Sequence, residues 1–136
     1  MASKPQPSER GMSWRPVIGE KAVITFTVPL VPPSVNHYVK HTKTGGHYRT
    51  RAADAFMEGI WVHSGRRKMR AKAYSVEAVI YLGKGQKGDT DNFAKVIGDG
   101  LAKAGVIHSD AAITDWVLRK RRDRKEPRTV ITVIGL

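Results

Sequence analysis

A chain of 136 residues that is 40% hydrophobic and 26% charged has the composition of one globular domain. It is too short for two independent cores, and it has no apolar run near the about 20 residues that a membrane-spanning helix needs. It lacks cysteine, which excludes disulfides, thiolate metal sites and thiol nucleophiles, so any metal must be held by oxygen or imidazole. Lysine and arginine outnumber aspartate and glutamate by 24 to 12, a formal charge of +12 with a pI near 10.3, and this points to a polyanionic partner.

Residues 1–19 mix Pro5, Pro7 and Pro16 with serine and glycine and show no periodicity, the pattern of a flexible tail ahead of a single domain at 20–136. The stretch from Met1 to Ser13 lacks the apolar core of a secretory signal, so the expected compartment is the cytoplasm. Ala22, Ile24, Phe26 and Val28 then alternate with Lys21, Val23, Thr25 and Thr27, which predicts a half-buried strand over 20–28, stopped by Pro29, Pro32 and Pro33. The segment 34–50 holds Asn36, His37, Tyr38, His41, Gly45, Gly46, His47 and Tyr48. It reads as a polar, aromatic loop that turns at the glycine pair and could contact DNA. Ala53, Phe56, Met57, Ile60 and Trp61 recur at three and four residues, predicting an amphipathic helix over 51–64 that covers a sheet with these positions.

Val76, Ala78, Ile80 and Leu82 mark one face of a second strand over 74–82, and Gly83, Gly85 and Gly88, with Lys84 and Lys87, form the loop after it. Asp89-Thr90-Asp91-Asn92 follows directly. Phe93, Val96, Ile97, Leu101 and Ala104 then stand at helical spacing up to Gly105, a C-cap residue. Residues 116–122 and 129–134 read as two strands joined by a charged turn containing Pro127. The sum is an α+β fold: a small sheet of about four strands with two main helices.

The basic residues gather in two runs. One holds Arg66, Arg67, Lys68, Arg70 and Lys72; the other holds Arg119, Lys120, Arg121, Arg122, Arg124 and Lys125. Either run alone fits a solvated surface as well as it fits a binding site. Two runs with a doubled positive count favour phosphate neutralisation on nucleic acid.

Five of the 12 acidic residues lie from Asp89 to Asp115 in this otherwise basic chain. If Asp89 and Asp91 flank Thr90 in extended backbone, their side chains leave one face about 6 to 7 Å apart and can share a hard cation. A return of the chain after the helix could bring Asp110 beside them. Three carboxylates leave positions for water and phosphate, as Mg²⁺ prefers, and suit metal-assisted phosphodiester hydrolysis. On the pair alone a second reading stands: Asp91 as the N-cap of the following helix and Asp89 as a loop residue. Lys95 and Asp99 likewise fit a helix-surface pair at i,i+4.

The run Gly88-Asp89-Thr90-Asp91-Asn92-Phe93-x-Lys95-x-x-x-Asp99-x-Leu101, then Gly105-Val106-Ile107 and Asp110, resembles the core signature of RusA-type Holliday junction resolvases. Pro32-Pro33-Ser34-Val35-Asn36-x-Tyr38 is similar to the segment after that family's first strand. The likeness extends from about Val23 to the C-terminus. It implies a dimeric fold with a small mixed sheet, and a nuclease that binds four-way DNA junctions and nicks two strands symmetrically, using Mg²⁺ or Mn²⁺ in its place. By the same resemblance Asp89, Asp91 and Asp110 bind the metal, Lys95 acts at the scissile phosphate, and Asn92 and Asp99 support the site. Arg66, Arg67, Lys68, Arg70, Lys72, Arg119, Lys120, Arg121 and Arg122 would grip the duplex arms. One departure stands out: where family members often carry two consecutive acids, this chain has Ser109-Asp110. A bacterial or phage-encoded enzyme of recombination, repair or phage DNA processing fits this pattern.

His37, His41 and His47 match no familiar zinc spacing, and His108 is a loop histidine two residues from Asp110. Trp14, Trp61 and Trp116 read as packing residues, with DNA stacking or a dimer contact open for Trp14. Two other classes compete with the nuclease. A non-catalytic junction binder gains nothing from acids that repel phosphate, and an RNA-binding protein should show the exposed strand aromatics that this chain lacks.

Overall fold

Alternation of apolar and polar residues builds the sheet. The computed structural model describes residues 22–33, 39–41, 47–86, 88 and 90–136, with the backbone alone for 39–41, 47–49, 90 and 91. In β1 (Val23–Val28) the residues Ile24, Phe26 and Val28 point inward, as the sequence pattern predicts. In β4 (Tyr74–Leu82) Tyr74, Val76, Ala78, Ile80 and Leu82 do the same. Strands β5 (Ile113–Arg122) and β6 (Arg128–Gly135) complete a four-stranded sheet in the order β1-β6-β4-β5. The first two pairings are antiparallel and β4 lies parallel to β5, so the sheet is mixed.

Although β5 and β6 are consecutive, they are not neighbours, because β4 lies between them. The charged turn joining them is shaped by Asp123, whose carboxylate accepts N–H bonds from Lys125 and Glu126 and pairs with Arg128 at 2.9 Å.

Helix α1 (Arg51–His63) starts at Thr50, whose hydroxyl accepts from the N–H of Ala53, a side-chain cap of the usual kind. It buries Ala53, Phe56, Met57 and Ile60. Trp61, expected in the core, is 41% exposed. Lying about 80° round the helix from Ala53, it falls at the edge of the apolar stripe and packs under the Arg66 guanidinium, 4.1 Å from the ring centre. The polar segment expected as a loop contains a short antiparallel hairpin, β2 (Val39–His41) with β3 (His47–Arg49). Its glycine pair, Gly45 and Gly46, lies outside the described residues, as does the expected N-terminal tail.

Helix α2 (Thr90–Lys103) buries Phe93, Val96, Ile97 and Leu101. Ala104 falls in the turn beyond it. There Gly105 takes a left-handed φ of 81° and the N–H of Val106 returns to the Leu101 carbonyl, a glycine-terminated end as predicted. A 3-10 turn, Asp110–Ala112, leads into β5 and is capped by Ser109.

One buried cluster joins α1, α2 and the inward face of the sheet. Each fully buried Phe56 or Phe93 contributes about 1.5–3 kcal/mol by leaving water. On the sheet's other face Val79, Tyr81, Val130 and Ile134 stay partly accessible and Val117 is 40% exposed. No helix among the described residues covers them.

Candidate active site

Parallel strands bring their carboxyl ends to the same edge of a sheet, and loops leaving that edge are where α/β proteins build sites. Here β4 and β5 end together, with Leu82 beside Arg122. The loop that leaves β4 carries the acidic segment into α2. Its first turn is closed by the N–H of Gln86 donating to the Gly83 carbonyl (3.1 Å), and the N–H of Gly83 donates to Gln86 Oε1 (2.6 Å). Two side chains from β5 reach it. Arg122 Nη1 donates to the carbonyls of Gly83 (2.7 Å) and Gln86 (3.1 Å), and Lys120 Nζ donates to that of Gly88 (3.0 Å).

The entry into α2 is fixed by packing. A Cβ at Gly88 would stand 2.5 Å from the ring of Phe93, a residue buried without exposure. Only glycine lets the backbone pass over that ring. Asp89 lies outside the described residues, and α2 begins at Thr90. Asp91 therefore sits inside the first helical turn and is not the N-cap. The extended Asp-Thr-Asp geometry considered from the sequence does not apply, because Thr90 and Asp91 are helical.

Asp110 is exposed and opens the 3-10 turn that docks on α2. A Cβ on Gly98 would lie 3.4 Å from Asp110 Cβ and 3.4 Å from Trp116. Positions 91 and 98 are seven residues apart and share one stripe of the helix. The chain thus returns Asp110 to the side of α2 on which position 91 stands, about 10 Å further along the helix axis.

Lys95 and Asp99 lie next to that stripe and form an i,i+4 pair at 3.5 Å. Asn92 is half-buried in the first turn. His108 packs at Tyr74 with ring centres 5.5 Å apart, and its Nε2 lies 3.2 Å from the Ala71 carbonyl. Nothing in these contacts joins it to Asp110. The side chains of His37, His41 and His47, and Trp14, lie outside the description.

No group of three acidic or histidine side chains that could hold a metal occurs among the described residues, a set without the side chains of Asp89 and Asp91. The donor chemistry still fits a hard divalent ion: Asp110 offers carboxylate oxygens beside the helix whose first turn holds Asp91, and no cysteine competes.

The two basic runs are organised differently. After α1, Gly65 and Arg66 take left-handed φ values of 71° and 58°. Arg67 Nε donates to the Ser64 carbonyl (2.8 Å). Lys68, Arg70 and Lys72 are exposed around buried Met69. On β5 the register sets Lys120 and Arg122 beside Ile80 and Leu82, on the core-facing side. Arg119 and Arg121 stand beside Val79 and Tyr81 on the uncovered side, where Arg119 pairs with Glu77. An open cleft of about 290 Å³ is lined by Lys84, Gly85, Gln86, Arg122 and Arg124. Sequence reading missed Gln86 and Gly98. A glycine inside a helical pattern was the one available signal for the second, since it marks a close approach.

The fold and site define a small basic α+β domain with an acidic loop-to-helix junction at the ends of its parallel strands. The family model for Endodeoxyribonuclease RusA matches residues 29–134, so this chain belongs to the RusA endodeoxyribonuclease family. A search of curated proteins gave no match. No helix among the described residues is long and apolar enough to cross a membrane.

Proposed function

We infer that this protein resolves four-way (Holliday) DNA junctions by symmetrical, Mg²⁺-dependent hydrolysis of phosphodiesters, with Mn²⁺ able to replace Mg²⁺. The observation that carries the reading is the match of residues 29–134 to the RusA endodeoxyribonuclease family; Asp110 standing on the side of α2 that position 91 shares agrees with its acting with Asp89 and Asp91. These three carboxylates would hold the ion. When bound, it would supply water activation and relief of charge on the phosphate.

Lys95, 58% exposed at its side chain, donates to phosphate oxygens where negative charge develops. Asn92 and Asp99 support the site from the first and third turns of α2. The helix start itself favours an anion through its dipole. Arg66, Arg67, Lys68, Arg70, Lys72, Arg119 and Arg121 bind the duplex arms, so affinity falls steeply with salt.

A homodimer sets two such sites on opposed strands, as paired nicks require. Cytoplasmic work in recombination, repair or phage DNA processing, in a bacterium or its phage, suits this activity.

A second reading, a junction binder without catalysis, is disfavoured because clustered carboxylates repel phosphate unless a cation intervenes. The deciding experiment incubates the protein with a synthetic four-way junction and a linear duplex, with Mg²⁺ or a chelator. Paired, metal-dependent nicks in the junction support the nuclease. Junction binding without nicks under Mg²⁺ or Mn²⁺ supports the binder, and no preference for the junction defeats both.

A further inference from the structure

Lys120 and Arg122 behave unlike their neighbours on β5. Arg119 and Arg121 turn to the uncovered side of the sheet. Lys120 and Arg122 share the core-facing side, and there they reach the loop that leaves β4. Between them they donate to three of its carbonyls: Lys120 Nζ to Gly88 (3.0 Å), Arg122 Nη1 to Gly83 (2.7 Å) and Gln86 (3.1 Å). A cation from one strand thus grips each end of the segment that delivers Asp89. The Gly88 carbonyl belongs to the residue directly before Asp89. Hydrogen bonds from charged donors are about twice as strong as neutral ones.

We propose that Lys120 and Arg122 are positioning residues of the metal site, holding the loop so that Asp89 is presented for metal binding, and that gripping DNA is not their main role. The inference rests on the nuclease reading above and assigns two members of a basic run to the interior of the site. It makes a signed prediction. A lysine that merely stands near the ion repels it, so its removal should tighten metal binding. A lysine that positions a ligand should have the opposite effect.

The test measures Mn²⁺ binding calorimetrically on the whole protein without DNA, for the native chain, Lys120→Met, Arg122→Lys and Asp91→Asn. Junction binding in chelator and thermal melting are followed in parallel. Lys120→Met keeps the apolar stem. Arg122→Lys keeps the charge and loses the guanidinium whose Nη1 donates to two carbonyls. Each should bind Mn²⁺ about tenfold more weakly, the scale for losing an outer partner of a metal ligand, while melting, junction affinity and its salt dependence stay native.

Native or tighter Mn²⁺ binding by Lys120→Met overturns the proposal. So does native Mn²⁺ binding together with weaker junction binding and a flatter salt slope in either variant, the mark of a lost phosphate contact. If Asp91→Asn binds Mn²⁺ like the native chain, the metal-site reading fails instead, and this inference with it.

Discussion

Asp110 Cβ lies 3.4 Å from the point where a side chain on Gly98 would begin. That distance is ordinary van der Waals contact, so Gly98→Ala should be accepted and should stabilise the helix by up to about 1 kcal/mol. Gly98→Leu is different, because it adds three carbons beyond a Cβ that already touches Asp110, Trp116 and Ile113. A displacement near 1 Å of a reacting group costs about 100-fold in rate. Nicking of a four-way junction should fall on that scale for Gly98→Leu and stay near native for Gly98→Ala, with melting curves recorded for both.

Asp89→Asn, Asp91→Asn and Asp110→Asn should each reduce nicking by more than the about 100-fold expected from losing an outer metal partner. In the proposed site each also removes a negative charge beside phosphate. Mobility shifts in chelator should therefore show junction affinity equal to or tighter than native. Weaker binding would assign these residues to DNA contact or to folding.

Lys68, Arg70 and Lys72 are exposed. If each meets one phosphate, replacing any one with alanine should lower the slope of log affinity against log salt by about 1. Titrations at several salt concentrations measure this, and an unchanged slope removes that residue from the DNA surface.

Asp123 gives a pH prediction. The hydrogen bond from Arg128, with that from the Glu126 N–H next, holds its carboxyl below the usual range. A folded-state pKa below the unfolded one, near 3.9, means that the unfolded chain binds more protons. The contribution to stability is complete above the unfolded value and is lost as pH falls through the folded one. Asp123→Asn should melt below the native protein at neutral pH, and the gap should close as pH drops under about 4. A gap constant with pH would show that the carboxylate's charge is not what stabilises the turn.

Much of this architecture is legible in the sequence, for physical reasons specific to each element. Ile24, Phe26 and Val28, and the row from Tyr74 to Leu82, alternate cleanly because one side of the sheet is buried and the other is not. Gly105 ends α2 because only a left-handed residue turns the chain there. The separation of β5 from β6 was not legible, since pairing between distant strands leaves no local pattern. The exposure of Trp61 follows from its angle on the helix, which spacing at three and four residues does not resolve. At the site, residue types pointed to metal chemistry, but not to the helical state of Thr90 and Asp91 or to the side of β5 on which Lys120 and Arg122 stand. The second depends on where β4 and β5 come into register.

Strand β6 bears on how the protein comes into being. It pairs with β1 on one side and β4 on the other, so a ribosome-bound chain that has not yet released it holds two strands with nothing to bridge them. Closing the sheet requires contacts between residues about a hundred positions apart, such as Val23 with Ile134, and such long closures slow folding. The acidic loop hangs from β4, whose inner edge β6 completes. A nascent chain rich in arginine can therefore meet nucleic acid before its cutting apparatus has taken shape, and competence to break a strand arrives only with the finished domain.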